Sequence, residues 1–292
     1  MILLFISSLE RSGSTILDLS LSEYSNVVSL GEVWRVIKPH GDGLASVRDR
    51  DCTCGEAVRD CPLWCAVIDE IDGLGQDASL ADRYGVLLKH ISARYGDDVT
   101  VVDSSKSIQA LQSVSTLSGV DVRVLYTVRD VRGWMESVEQ ADKRKKELPW
   151  SRIFQPEFRQ FRIAYLRHNI LRKLPFWLPH EWMIRNERLK KHIGKSGLSS
   201  MSMSYEAFMF DTDKVLSGIE KFASLKKASV SDGQSRPELH IVRGNRTAFT
   251  SSPGSRRSYN VSWMHRWKWS ALFALLPWVA ACNKRNVYYF DR

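Results

Sequence analysis

The first residues that could bind an anion follow the apolar N-terminal run of the chain. The segment Ser7–Thr15 contains Gly13, several hydroxyl residues and Arg11. A glycine among small hydroxyl residues lets successive backbone N–H groups point at one anion, and a helix that begins here adds the positive end of its dipole. Arg11 adds a planar group that can bind phosphate or sulfate oxygens in a bidentate way. The segment therefore predicts a phosphate- or sulfate-binding loop.

A comparison with the Walker A pattern narrows the chemistry of this loop. Gly13 and Thr15 fit the end of the pattern, but Ser8 replaces its first glycine and Ser14 replaces its lysine. That lysine reaches the phosphates that a kinase or an NTPase handles. The sequence therefore disfavours both of these enzyme classes.

Two later segments also end an apolar run with polar groups. Val101–Ser107 places Lys106 just after such a run, and Val124–Ser137 carries Arg129 at the end of another. Ser137 follows Arg129 by about two turns of a helix, so both side chains could address one phosphate. These groups are candidate anion ligands like those of the first loop.

The elements that must position these residues are strands of a parallel sheet, each followed by a helix. Short apolar or β-branched runs predict the strands, and an apolar pattern with helical spacing follows each of them. The predicted fold class is α/β, with a central parallel sheet flanked by helices. Because ligands bind at the carboxyl ends of such strands, Arg11, Lys106 and Arg129 should converge there. The predicted strands are Ile2–Ser7, Val99–Asp103 and Val122–Val128, with Met201–Ser204 as a fourth, and the helices are Leu17–Glu23, Ile108–Leu117 and Val131–Val138.

Composition limits the partners and the location. The chain has 292 residues, 43% of them apolar, and a net charge of +9. The positive charge favours anionic partners such as a nucleotide, a nucleic acid, an acidic glycan or a membrane surface. The apolar N-terminus is too short for a signal peptide, and the apolar stretch Ser270–Cys282 is interrupted by Pro277 and shorter than a bilayer span. We therefore expect a cytoplasmic protein without a transmembrane helix.

The order of these motifs resembles that of PAPS-dependent sulfotransferases of the bacterial, carbohydrate-type branch, where PAPS is 3′-phosphoadenosine 5′-phosphosulfate. The resemblance implies a fold similar to that of P-loop NTPases and transfer of a sulfuryl group to a hydroxyl or amine, with no metal required. It further implies that Lys106 and Arg11 stabilise charge on the leaving phosphate oxygen, and that Arg129 and Ser137 bind the 3′-phosphate. The residues that it assigns to the 5′-phosphosulfate are Arg11, Ser12, Gly13, Ser14 and Thr15.

The resemblance also suggests a general base and a late cofactor-binding segment. Glu32 lies in a Gly-Glu segment similar to the one that supplies the base in bacterial carbohydrate sulfotransferases, and a base must lie within hydrogen-bond reach of the acceptor. His40 and His240 are the alternatives. The late segment resembles the part of these enzymes that covers the 3′-phosphate or the adenine, and its candidate contacts are Arg243, Asn245 and Arg246. The Tyr205–Glu206 pair, also similar to the family, is interpreted as structural.

Four of the five cysteines are clustered between residues 52 and 65. Their Cys-x-Cys and Cys-x-x-x-Cys spacings differ from those of ordinary zinc knuckles, so zinc is not the favoured interpretation, and a disulfide or buried thiols remain open. The stretch is similar to a cysteine segment in a branch of bacterial sulfotransferases, which assigns it no role. The cluster comprises Cys52, Cys54, Cys61 and Cys65.

The chain is expected to form one domain over residues 1–292, with a helical cap at about 142–195, where Lys, Arg, Trp and Phe are frequent. The Trp-rich segment Trp263–Tyr289 is predicted to be a helix that closes the core, and a peripheral contact with a membrane stays open. The sequence does not identify the acceptor or the oligomeric state. Two alternatives are a kinase-like P-loop phosphotransferase and a basic nucleic-acid-binding module that uses the run Lys143–Lys146.

Overall fold

A single parallel sheet organises the molecule. The computed structural model describes residues 1–38, 44–75, 77–143, 170–174, 176–227, 239–244, 249 and 259–289. In this part of the chain the sheet has the order β2-β3-β1-β4-β5. Its strands are β1 (Ile2–Ser8), β2 (Val27–Ser29), β3 (Thr100–Asp103), β4 (Asp121–Val128) and β5 (Ser199–Ser204).

All neighbouring strands run in the same direction. The register pairs Ile2 of β1 with Thr100 of β3 and with Asp121 of β4, and the outer pairs are parallel as well. Parallel strands need crossover connections, which explains why helices lie between them in sequence. The carboxyl ends of the strands therefore share one edge, where ligands bind in sheets of this kind.

Helices connect the strands and cover both faces of the sheet. The α-helices are α1 (Ser14–Leu21), α2 (Trp34–Ile37), α3 (Ala45–Arg48), α4 (Trp64–Gly73), α5 (Leu80–Tyr95), α6 (Ile108–Val114), α7 (Val131–Lys143), α8 (Trp177–Ser196), α9 (Tyr205–Phe210), α10 (Thr212–Ala223), α11 (Trp267–Leu275) and α12 (Pro277–Asn283). Shorter helical turns occupy Leu171–Lys173, Ser262–His265 and, as a π-turn, Lys284–Tyr288.

Two apolar clusters lie on opposite faces of the sheet, and β1 contributes alternately to both. Leu3 and Phe5 belong to the larger cluster, whereas Leu4 and Ile6 belong to the smaller one. A strand that is buried on both faces has a continuous apolar sequence, which is the pattern at the N-terminus. The larger cluster contains the buried Trp64, Tyr84, Trp134 and Trp182 of the helices, and the smaller one contains Leu17, Leu21, Phe208 and Ile219.

The predicted α/β class and its parallel sheet are confirmed. Each of the four predicted strands is present, with bounds shifted by at most a few residues. The strand that the sequence did not predict is β2, since its three residues are too few to show a periodicity. It lies just before Glu32 and thus helps to position a candidate site residue.

Only part of the predicted cap lies within the described residues. There, Trp177–Ser196 packs against the sheet and buries Leu178, Trp182 and Ile193 in the larger cluster. Residues 144–169, including most of the run Lys143–Lys146, lie outside the described part. The C-terminal region is helical, but Pro277 divides it into α11 and α12. No helix in the described chain combines the length and apolar character that a bilayer span requires.

Candidate active site

A cavity of about 490 Å³ opens at the carboxyl edge of the sheet. It brings together residues that follow β1, β2, β3 and β4 and that are far apart in sequence. Of the candidate residues, Arg11, Gly13, Ser14, Thr15, Glu32, Lys106, Arg129 and Ser137 line this cavity. Ser12 is buried next to them and does not line it.

The loop after β1 has a backbone conformation that only certain residues tolerate. Gly13 has a φ of 86°, and a Cβ atom there would lie 2.3 Å from the ring of Tyr205. Arg11 has a φ of 67°, a strained value for a residue with a side chain. Gly13 is also the N-cap of α1, where no side-chain hydrogen bond caps the helix within the described chain. The first N–H groups of α1 are therefore available to an anion in the cavity.

Lys106 and Glu32 form an ion pair in the lining of the cavity. The Nζ of Lys106 donates to Oε1 of Glu32 at 2.8 Å, and Arg35 donates to Oε2 at 3.0 Å. Burial raises the pKa of Glu32, but Lys106 and Arg35 outweigh this effect and hold that pKa below its usual value. Lys106 has a φ of 59°, so the loop after β3 is strained where it presents its cation. Glu32 is therefore ionised at neutral pH and already paired with the neighbouring cation.

Two buried carboxyl groups support the strand ends beneath this ion pair. Asp18 of α1 accepts hydrogen bonds from Ser29 and from Ser104, so it links α1 to β2 and to the end of β3. Asp103 accepts a 2.6 Å hydrogen bond from the hydroxyl of Tyr84. Burial raises the pKa of each carboxyl group to about 6. Both groups therefore hold the backbone that carries Lys106 and Glu32.

Arg129 presents an unsatisfied donor at the end of β4. One of its terminal nitrogens donates to the carbonyl of Arg11 at 3.0 Å, and its guanidinium lies 4.6 Å from the ring centre of Tyr205. Its Nε is buried without a hydrogen-bond partner among the described residues. Because a buried unsatisfied donor is costly, this atom is suited to a ligand that the chain itself does not supply. Tyr205, interpreted from the sequence as structural, thus lines the cavity between Gly13 and Arg129.

The other rim of the cavity carries an ion-pair network that the sequence did not reveal. Arg172 pairs with Glu10 at 3.2 Å, with Asp142 at 3.1 Å and with Glu181 at 3.0 Å. Arg185 pairs with Glu10 at 2.5 Å. Burial raises the pKa of Glu10, but hydrogen bonds and charge from these arginines lower it to about 2. Positive charge on this rim is therefore neutralised locally, in contrast to Arg129.

The late segment reaches the cavity through its backbone. Gly244 lines the cavity, and the carbonyl of Arg243 accepts a 2.8 Å hydrogen bond from the N–H of Glu32. The Nε of Arg243 is another buried donor without a partner in the described chain. Asn245, Arg246 and the alternative base His40 lie outside the described residues.

His240 occupies a different environment from that of a general base. It is fully buried and is not among the residues that line the cavity. Its Nδ1 lies 3.3 Å from the sulfur of Cys61 and 3.8 Å from that of Cys52, and its Nε2 lies 2.9 Å from the hydroxyl of Tyr95. Cys65, the fourth member of the predicted cluster, instead lies beside Asp69. The histidine therefore takes the place that the sequence pattern assigned to Cys65.

Three solved sulfotransferase structures are similar to this chain in architecture. The sulfotransferase domain from the Synechococcus PCC 7002 olefin synthase is 14% identical, has a TM-score of 0.50 and matches over 94% of each chain. The sulfotransferase domain from the curacin biosynthetic pathway is 16% identical with a TM-score of 0.49, over 94% of this chain and 97% of that one. A sulfotransferase from Alicyclobacillus acidocaldarius is 14% identical with a TM-score of 0.46, and the match covers 97% of this chain and 94% of that one.

No family model and no curated protein matches the sequence. The likeness to solved structures therefore concerns the path of the chain rather than its individual residues. It agrees with the resemblance that the order of motifs indicates, and it extends over nearly the full length. The chain has the α/β fold of a sulfotransferase domain.

Proposed function

We propose that this chain is a sulfotransferase that transfers a sulfuryl group from PAPS to a hydroxyl or amine of an acceptor. The observation that carries the proposal is the convergence of Arg11, Lys106 and Arg129 with the uncapped N-terminus of α1 in one cavity. PAPS bears a phosphosulfate on one side of its ribose and a phosphate on the other. A site for it needs anion-binding groups at both ends, and separate strand ends can supply them.

The residues present fit such a donor substrate. The loop at Gly13 presents the first N–H groups of α1 to the cavity, where no side chain of the described residues caps the helix. Gly13 also lets the ring of Tyr205 pack closely against the loop, because a Cβ at that position would clash with the ring. The buried, unpartnered Nε of Arg129 is suited to the 3′-phosphate, together with the hydroxyl of Ser137. PAPS would supply an activated sulfuryl group, with adenosine 3′,5′-bisphosphate (PAP) as the leaving product. No metal is needed in this proposal, since the cations are side chains.

Glu32 and Lys106 have separate roles in the proposed transfer. As the acceptor oxygen or nitrogen bonds to sulfur, the bond from sulfur to the bridging phosphate oxygen breaks, and Glu32 takes the proton that the acceptor loses. Lys106 and Arg11 stabilise the negative charge that grows on the departing oxygen. An anion near Lys106 also weakens its pairing with Glu32. The carboxylate then becomes more basic at the moment when it must accept a proton.

Binding of PAP tests the donor site without knowledge of the acceptor. We expect calorimetry to show that PAP binds more tightly than AMP, which lacks the 3′-phosphate, and more tightly than ATP. Substituting Arg129→Ala should weaken PAP binding by roughly tenfold to a hundredfold, as expected for a lost hydrogen bond to a charged group. The control Arg59→Ala removes an exposed arginine that pairs with the surface residues Asp49 and Asp60 and does not line the cavity. It should leave the affinity unchanged. Absence of PAP binding, or a preference for ATP, would overturn the proposal.

Transfer itself is tested with PAPS labelled in its sulfuryl group. The wild-type protein is incubated with a panel of hydroxyl and amine acceptors drawn from carbohydrates, lipids and small metabolites. We expect label to move to at least one class, with release of PAP in equal amount. A protein that binds PAP but labels no acceptor in the panel and does not hydrolyse PAPS would contradict the enzymatic part of the proposal.

A further inference from the structure

Three cysteines and one histidine form a compact cluster away from the candidate active site. The ligand atoms of Cys52, Cys54, Cys61 and His240 all lie within 4.8 Å of one another. Cys52, Cys61 and His240 are buried, and Cys54 is partly exposed at the rim of the cluster. No residue of the cluster lines the cavity at the edge of the sheet. The proposed sulfuryl transfer therefore gives this cluster no role.

Four of the six distances between these atoms are close to those around a tetrahedral zinc ion. Zinc binds sulfur at about 2.3 Å and nitrogen at about 2.0–2.1 Å, which places two sulfurs about 3.8 Å apart and a sulfur and a nitrogen about 3.6 Å apart. The sulfur of Cys61 lies 3.7 Å from those of Cys52 and Cys54. Nδ1 of His240 lies 3.3 Å from the sulfur of Cys61 and 3.8 Å from that of Cys52.

The surroundings of the cluster support its four atoms as metal ligands. The hydroxyl of Tyr95 lies 2.9 Å from Nε2 of His240, so this nitrogen can carry the proton and Nδ1, which lies beside the sulfurs, can serve as the metal ligand. The backbone N–H of Trp64 donates to the sulfur of Cys61 at 3.4 Å, a contact that favours a thiolate. Hydrogen bonds of this kind orient the ligands of structural zinc sites.

We propose that Cys52, Cys54, Cys61 and His240 bind one structural zinc ion. Three thiolates and an imidazole form a closed Cys₃His set, which leaves no position for a substrate and is typical of structural rather than catalytic zinc. A disulfide could use only two of the three sulfurs and would leave the third beside the histidine. The Cys-x-x-x-Cys spacing does not match a zinc knuckle because Cys65 lies outside the set, and the fourth ligand, His240, comes from a segment distant in sequence.

The zinc ion would fasten two segments that lie side by side. One segment contains the three cysteines and the other contains His240. The N–H of Thr53 donates to the carbonyl of Ile241, and the hydroxyl of Thr53 donates to the carbonyl of Leu239. Arg243, which follows His240 in the second segment, forms a parallel β-bridge with Gly31. Zinc would thus stabilise the backbone against which Glu32 is held, a consequence that rests on the proposed function. The metal site itself does not depend on that function.

Metal content measures the proposal directly. Protein purified in the presence of zinc and without chelator should contain about one zinc per chain by elemental mass spectrometry, as a single structural site requires. We expect the control Cys65→Ser to keep this content, because Cys65 lies outside the cluster. Cys54→Ser should lose most of its zinc, and since Cys54 is partly exposed this variant is the ligand change most compatible with folding.

A second measurement avoids the risk that a variant fails to fold. Wild-type protein freed of metal and titrated with cobalt should develop the visible bands of tetrahedral cobalt and a thiolate charge-transfer band in the near ultraviolet. A chelator should lower the melting temperature of the wild-type protein and of Cys65→Ser, and added zinc should restore it. The proposal would be overturned if the wild-type protein contained no zinc as purified and gave no tetrahedral spectrum with cobalt. It would also be overturned if the intact mass were two hydrogens below that of the fully reduced chain because of a disulfide within the cluster. None of these readouts requires sulfuryl transfer.

Discussion

At the scale of single residues, the candidate site contrasts paired and unpaired cations. Lys106 is bonded to Glu32, and Arg172 is bonded to three carboxylates, whereas the Nε of Arg129 has no partner among the described residues. Ion pairs in a partly buried site leave little net charge for a ligand, so a guanidinium that pairs with no carboxylate of the described residues should contribute most to anion affinity. Lys106 should instead contribute in the transition state, when charge develops next to it.

Glu32→Gln should separate binding from transfer. The substitution removes the proton acceptor and frees Lys106 from its carboxylate, so we expect PAP to bind as tightly as in the wild type or more tightly. Transfer to the best acceptor of the panel should fall by roughly 10²–10⁴-fold, as for a lost general base. Calorimetry and initial rates measure the two effects.

The matched control for this change is Glu70→Gln. Glu70 also pairs with a lysine, Lys89, but on the surface and away from the cavity. It should alter neither PAP affinity nor transfer. If Glu32→Gln keeps the wild-type rate of transfer, Glu32 is not the base.

At the scale of elements, the turn between β1 and α1 is the most constrained connection of the site. Gly13→Ala must adopt a left-handed conformation and also displace the ring of Tyr205, which lies against Arg129. We expect PAP binding to be lost or strongly weakened, in addition to a backbone cost of about 1–2 kcal/mol. Calorimetry and urea unfolding report the two effects separately.

Gly119→Ala supplies the control for Gly13→Ala. Gly119 has a similar φ of 76°, but nothing lies within 4 Å of an added Cβ. It should show the backbone cost without a change in PAP affinity. Equal affinities for both variants would mean that the contact between Gly13 and Tyr205 does not shape the site.

Asp18 should make the packing of α1 against β2 and β3 dependent on pH. Burial raises the pKa of Asp18 to about 6 in the folded protein, above the usual value of 3.8. The folded state therefore binds more protons between these values, and the stabilisation present at low pH is lost as pH rises through about 6. The shift corresponds to up to about 3 kcal/mol.

Asp18→Asn removes this titration and tests it. The free energy of unfolding in urea is measured for the variant and the wild type at pH 4 and at pH 7. The difference between them should shift in favour of the variant as the pH rises, because only the wild type loses the stabilisation of a protonated Asp18. Asp213→Asn, at an exposed position of α10, should show no such gain. A constant difference between Asp18→Asn and the wild type at both pH values would contradict a raised pKa of Asp18.

The elements were predictable from sequence to the extent that their patterns are local. The runs of β1, β3 and β4 are apolar because both faces of these strands are buried, and the polar residues that follow them identify the binding edge. The strand β2 was missed, since three residues carry too little pattern. Tyr205 and His240 gained their roles through contacts with Gly13 and with the cysteines, which are distant in sequence, so no local signal could assign them.

At the scale of the whole molecule, the C-terminal helices stabilise the end of β4 through residues that do not line the cavity. Asn283 accepts a hydrogen bond from the N–H of Val131 and donates one to Asp130, both at 2.9 Å. The hydroxyl of Tyr288 donates to the same carboxylate at 2.8 Å. Asp130 directly follows Arg129, so the last elements of the chain help to fix the cation that the cavity presents.

Asn283→Ala should therefore reduce both stability and affinity, although Asn283 does not line the cavity. Loss of its two buried hydrogen bonds should cost about 1–3 kcal/mol of unfolding free energy. Because Asp130 and Val131 lose a partner next to Arg129, we expect a several-fold weaker affinity for PAP. Asn286→Ala removes an equally buried asparagine whose amide donates instead to the carbonyl of Cys282. That control should lose stability and keep its PAP affinity, whereas equal affinities for both variants would show that the C-terminal helices support the core without positioning Arg129.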